Sequence, residues 1–213
     1  MSKALRAIAW TAVGLAALAG LAKLTLIDAW VIPTDSPRLG ISLEPSLSAG
    51  DTVLMLTRGA PGFGDLVRCA DPDDATRFIV GRIVGLSGDT VEVLGRDLRV
   101  DGKRYDGEMV CPEPTVEVIH PTSGEKIKLT CDQVPMGGRI HYRGSSQKNE
   151  IMTPVKATVG QGMVFLLSDN RSHHDDSRDF GVVPLASCTN RIFFRAWGKG
   201  GWADSKTRLS YIR

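Results

Sequence analysis

The feature that most constrains this chain is its punctuation: beyond residue 28 the apolar residues come in short runs, closed again and again by Gly, Pro or Asp. Thr52 to Leu56, Leu66 to Cys69, Phe78 to Val80, Arg82 to Leu86, Thr90 to Leu94 and Leu98 to Val100 are runs of this kind. Short β-rich runs between turn formers predict strands. The Asp101-Gly102 pair predicts a two-residue hairpin turn, since both its central positions need positive φ. No segment after the N-terminus sustains a 3.6-residue pattern over three turns. The chain is therefore read as all-β and antiparallel.

With 213 residues and 42% hydrophobic content, the chain can bury one good core and a small extra module. The character changes between about Arg104 and Val155 to shorter, more polar runs (Thr115 to Ile119, Lys126 to Leu129, Arg139 to Tyr142) with Gly137-Gly138 between them. This predicts an inserted β module over 105–155, dividing a core of 28–104 and 156–213, with 1–27 standing apart. Cys111 and Cys131 bracket two of the module's strands at a separation suited to a hairpin disulfide, worth roughly 3 kcal/mol to so small a unit. Cys69 and Cys188 are left unassigned. No CxxC or Cys/His finger spacing occurs, so neither metal nor other cofactor is expected. A net charge of +2, with scattered Lys and Arg, gives no reason to expect nucleic acid.

The N-terminus carries Lys3 and Arg6 ahead of an uncharged stretch from Ala7 to Ala22, and the apolar run resumes after Lys23. As a helix, Ala7 to Ile27 would measure roughly 30 Å, about one hydrocarbon core. It is read as a transmembrane anchor with its positive end in the cytoplasm. Ala17-Leu18-Ala19, a small-x-small site, supports the competing reading of a cleavable signal peptide. Both place the remainder outside the cytoplasm, and the anchor makes the lipid bilayer a partner. Next, Ile32 to Gly40 is rich in turn formers and is expected to be a loop rather than a regular helix.

The densest polar cluster follows the apolar run ending at Leu167: Ser168-Asp169-Asn170-Arg171-Ser172-His173-His174-Asp175-Asp176-Ser177-Arg178-Asp179-Phe180-Gly181. A strand ending abruptly in such a segment predicts a loop held at a sheet edge, where chemistry is to be sought. Metal binding by His173, His174, Asp175 and Asp176 is set aside, because neighbours on one loop rarely converge on one ion. His120 and His141 fall in the module and read as surface residues.

Three stretches together resemble the type I signal (leader) peptidases, membrane-anchored serine proteases that use a Ser-Lys dyad. Gly40-Ile41-Ser42-Leu43-Glu44-Pro45-Ser46-Leu47, followed by Gly50-Asp51, is similar to the nucleophile box. Arg82-Ile83-Val84-Gly85-Leu86-Ser87-Gly88-Asp89 is similar to the second box. Ser168-Asp169-Asn170-Arg171 through Asp176-Ser177-Arg178-Asp179-Phe180-Gly181 is similar to the third. The resemblance implies a signal-peptidase-like antiparallel β fold and a site on the extracytoplasmic, periplasmic face of a bacterial inner membrane. It implies signal-peptide-bearing preproteins as substrates, cut after small residues at −1 and −3. It implies Ser42 as nucleophile, with Gly40, Ser42, Leu43 and Ser168 around the oxyanion and substrate, and Asp169, Arg171, Ser177 and Arg178 as loop scaffold.

One departure bears on mechanism. Where the family places its general-base lysine, immediately before Arg82, this chain has Gly81. A serine hydroxyl without a base is a poor nucleophile. In the third box, the position that resemblance sets against the lysine is His174, and histidine titrates near about 6.5. His174 is therefore the candidate base, aimed into the volume Gly81 vacates, with Asp176 or Asp175 orienting its ring. The alternative is a catalytically inactive homologue serving as a subunit of a membrane complex. Ser36 loosely resembles the nucleophile of a conjugative-transfer branch; Ser42 has the better spacing, and Ser36 is assigned to the lengthened loop.

Overall fold

The computed structural model describes residues 3–72, 74, 76–120, 122–146 and 153–212. Helix α1 (Lys3–Thr25) leads to strand β1 (Ile27–Val31), the short helix α2 (Pro37–Ser42), then β2 (Thr52–Leu56), β3 (Leu66–Ala70) and β4 (Phe78–Gly85). Strands β5 (Thr90–Leu94), β6 (Asp97–Val100) and β7 (Lys103–Tyr105) precede the long β8 (Met109–Ile119), β9 (Lys126–Met136) and β10 (Arg139–Ser145). The chain closes with β11 (Val155–Thr158), β12 (Met163–Leu167), helix α3 (Ser177–Phe180), β13 (Val183–Pro184), β14 (Asn190–Trp197) and β15 (Ser210–Tyr211).

Among the described residues every strand-to-strand pairing is antiparallel, and one isolated bridge, Gly144 to Asn170, is parallel. The main sheet runs β1-β2-β14-β3-β4-β12-β13, with β15 on β14; β10-β9-β8 and β11-β5-β6-β7 form two smaller sheets. The period-two alternation is visible in β2, which buries Val53 and Met55, and in β5, which buries Val91 and Val93. One core cluster gathers Leu39, Leu43 and Leu47 with Val53, Met55 and Ile192, fastening the segment around α2 to the main sheet. A second joins the β5–β6 sheet to Val84, Phe165 and Leu167. Between β6 and β7, Asp101 and Gly102 have φ of 49° and 77°, the turn expected from the pair. Cys111 is bonded to Cys131, as expected, and Cys69 to Cys188, closing a separation of 119 residues.

Three expectations are corrected. A helix does form over 3–25, yet among the described residues no helix is long and apolar enough to cross a membrane. Its sequence is rich in alanine and glycine, which add little apolar surface, and Ile27, expected in its last turn, pairs with Leu56 as part of β1. The segment 32–40 does not stay a loop throughout: Pro37 opens α2, because a proline's fixed φ suits the first helical position and its missing N–H is not needed there. Finally, the two runs flanking Gly81 are one strand, in which Gly81 keeps register opposite Val67.

The turn after α2 holds Glu44, whose carboxylate accepts a hydrogen bond from Ser48 Oγ at 2.6 Å. Burial, reinforced by Asp51, raises its pKa to about 7. An acid raised in the fold stabilises it below its unfolded pKa of 4.5, and that contribution is lost as pH rises through about 7. Urea unfolding at pH 5 and pH 8 should therefore show a loss for the wild type about 2–3 kcal/mol larger than for Glu44→Gln. Equal losses would contradict this.

Candidate active site

The loop from Ser168 to Asp176 leaves the end of β12 and is pinned at each turn. Arg82 on β4, 2% exposed, grips the fully buried Asp169 through two parallel bonds, Nε to Oδ1 at 2.9 Å and Nη2 to Oδ2 at 2.7 Å, while Nη1 donates to the Gly64 carbonyl. Such bidentate pairing fixes orientation as well as distance. Asn170 ties the loop to α2: its backbone N–H donates to the Ser42 carbonyl at 3.0 Å and its Nδ2 to the Ile41 carbonyl at 2.9 Å. Gly144 on β10 donates to the Asp169 carbonyl and accepts from the Arg171 N–H.

Asp176 closes the loop as N-cap of α3. Its side chain accepts from the N–H groups of Ser168 and Arg178 and from Arg178 Nε and Nη2. Burial alone would raise its pKa, but Arg178 and these bonds hold it below the usual aspartate range. Asp179 completes a capping box, its Oδ2 accepting the Asp176 N–H at 3.2 Å. The Ser177 hydroxyl accepts from the Leu166 N–H, locking α3 to β12.

On this frame His174 stands partly exposed in a groove of about 1310 Å³, together with Ser36, Arg38, His173, Asp175 and Asp179. Its Nδ1 is 2.8 Å from Asp179 Oδ2. A carboxylate on Nδ1 selects the tautomer that keeps the proton there and leaves Nε2 unprotonated. Asp175 has its pKa raised by burial and by Asp179, with Arg38 opposing. His173 is lowered by burial and by neighbouring His120 and His174. The His120 ring, which also borders the groove, meets His173 edge-on at 5.4 Å. Its Nδ1 accepts from the N–H groups of Thr122 and Ser123. His174, Asp176 and Asp179 bring ligand atoms within 4.8 Å of one another, but the two carboxylates are already engaged as the cap.

The residues expected to form the site are not all brought together. Ser42 is fully buried, its hydroxyl donates to the Leu39 carbonyl at 3.0 Å, and it does not line the groove. Leu43 is a core residue, and a Cβ on Gly40 would lie 2.9 Å from that of Ala49. Ser168 is buried, with its N–H given to Asp176 and its hydroxyl accepting from Asp175 N–H, so neither faces a substrate. Gly81 leaves little space: a Cβ there would stand 3.0 Å from Leu166 Cβ and need it to shift. The partner of His174 is Asp179 rather than Asp176 or Asp175. The capping-box spacing from Asp176 to Asp179 was the signal available for it. His141, read as a surface residue, is 1% exposed; burial, with Arg82, Arg171 and Arg143 around it, pushes its pKa well down.

Residues 5–197 match the family described as signal peptidase, peptidase S26. The signal peptidase I of Streptococcus pneumoniae serotype 4 is 26% identical over 74% of this chain and 79% of its own length. That of Bacillus caldolyticus is 30% identical over 74% of this chain and 76% of its own. The solved signal peptidase I of Enterococcus faecalis V583 aligns with a TM-score of 0.41 at 22% identity, over 62% of this chain and 97% of that one. The chain belongs to the signal peptidase family, and so to a class of serine endopeptidases.

Removing one partner of the Arg82–Asp169 pair leaves a buried charge unmatched. Asp169→Ala should lower the unfolding free energy by about 3–5 kcal/mol, and the double change Arg82→Met/Asp169→Leu by less than that single one. Denaturant titration checks both, and a loss within about 1 kcal/mol for Asp169→Ala would contradict the role given to the pair.

Proposed function

We propose that this chain cleaves exported preproteins after small residues, as a signal peptidase I-like endopeptidase, with His174 as its general base in place of the family lysine. The observation that carries the reading is the 2.8 Å contact between His174 Nδ1 and Asp179 Oδ2 at the edge of an open groove. In the reaction, a serine hydroxyl gives its proton to His174 Nε2 as its oxygen bonds to the scissile carbonyl carbon. The C–N bond then breaks, and the proton passes from Nε2 to the leaving amine. Water repeats the sequence on the acyl ester and releases the acid. Asp179 holds the ring and stabilises the imidazolium formed on the way.

The same reading puts the domain at the outer face of a bacterial membrane, held there by α1. In support, Leu5, Ile8, Trp10, Val13, Leu15 and Leu18 on this helix are all more than half exposed, and large apolar side chains in such number call for a cover. Two disulfides suit an oxidising compartment. The full chain should float with lipid vesicles in a density gradient, and a chain starting at Leu26 should not; equal flotation would contradict the placement.

The base is tested with a precursor carrying an Ala-x-Ala site. His174→Ala should lower kcat by about 10²–10⁴-fold while the circular dichroism spectrum and unfolding midpoint stay those of the wild type. Undiminished turnover would overturn the assignment.

A further inference from the structure

We infer that Ser36, not Ser42, is the attacking hydroxyl, completing a Ser36–His174–Asp179 triad; this deepens the endopeptidase reading above and rests on it. A nucleophile must reach a substrate carbonyl and must have its proton available to the base. Ser42 meets neither condition. It is fully buried among core residues and donates its proton to the carbonyl of Leu39, one turn back in the same helix. Releasing that bond would not bring it to the groove, because α2 is fastened on both sides: Leu39 and Leu43 sit in the core, and Asn170 holds the carbonyls of Ile41 and Ser42.

Ser36 meets both. It lines the same groove as His174 and Asp179 and is only partly buried, and although it stands at the N-cap of α2 its side chain makes no capping hydrogen bond. An N-cap serine ordinarily spends its oxygen on the second or third N–H of its helix; this one leaves its hydroxyl uncommitted. The backbone around it is held. The Ser36 carbonyl accepts from the Gly40 N–H at 3.1 Å, and Pro37 fixes φ immediately after it. Its neighbour Arg38 lines the groove beside Asp175, next to His174, where its charge partly opposes the rise that burial and Asp179 impose on that carboxyl. Asn170 thus anchors the end of α2 to the loop that carries His174, and Ser36 and Arg38 at the start of the helix line the same groove as His174, Asp175 and Asp179. The step is an ordinary acyl transfer: Ser36 Oγ bonds to the carbonyl carbon, its proton goes to His174 Nε2, and that proton leaves with the departing group.

The test uses the full chain in detergent, the Ala-x-Ala precursor and the p-nitrophenyl ester of N-acetylalanine as acylating probe. Ser36→Ala should reduce kcat on the precursor by about 10³-fold or more with an unchanged unfolding midpoint. Ser42→Ala should keep activity within about tenfold of the wild type. Acid-quenched tandem mass spectrometry of the wild type should find the acetylalanyl group on the peptide containing Ser36. An adduct on Ser42 in a wild type that turns over precursor would overturn the inference and leave the endopeptidase reading standing. A wild type that neither cleaves the precursor nor takes up the probe would overturn both.

Discussion

The site depends first on the buried pair between Arg82 and Asp169. Neither residue is within reach of solvent, and burying two charges is tolerable only when each satisfies the other and the remaining donors find partners. The guanidinium does so by giving its third nitrogen to the Gly64 carbonyl. Because Arg82 is on a central strand and Asp169 opens the polar loop, the pair fixes where that loop leaves the sheet. Everything further along it, from the Asn170 tether on α2 to the Asp176 cap of α3, is placed relative to this one contact. The groove and His174 inherit their position from it.

Charge in the loop is divided between two tasks. Asp169, Asp176 and Arg178 are spent wholly on internal bonds and shape the backbone. Asp179 does both: the oxygen that caps α3 through the Asp176 N–H also receives His174 Nδ1. One carboxylate thus couples the geometry of a helix start to the tautomer of an imidazole. A short loop thereby orients an imidazole ring beside the groove. Gly81 fits its own surroundings for a separate reason, since Leu166 across the strand leaves no room for a Cβ without a shift.

Much of the fold was legible because strand signals are local. Thr52–Leu56 and Thr90–Leu94 lie where the alternating runs put them, and Asp101-Gly102 makes its turn, because hydrophobic period and φ preference act within a few residues. What the sequence hid was tertiary. Ile27 reads as the end of an apolar helix, and only its pairing with Leu56 on β2 makes it the start of a strand. α2 reads as loop because Pro and Gly dominate it, whereas Pro37 at its first position favours a helix start. At the site, spacing along the chain does not report that the Ser42 hydroxyl is turned inward, where it donates to the Leu39 carbonyl. The partial exposure of Ser36 and the burial of Ser42 follow from how Leu39 and Leu43 seat α2 in the core. Asp179 was hidden by its neighbours: three aspartates lie within five residues, and the one that meets His174 is the one that also completes the capping box.

The central claim is that a carboxylate-held histidine does the work of the missing lysine, and Asp179→Asn tests it most directly. The amide oxygen of asparagine can still accept the Asp176 N–H and keep the helix cap, while its NH₂ would favour the wrong tautomer of His174. Measured on an Ala-x-Ala precursor, the account predicts that kcat falls by about 10²–10⁴-fold with KM and the unfolding midpoint nearly unchanged. A variant with wild-type kcat, or one whose loss lies entirely in KM, would contradict it.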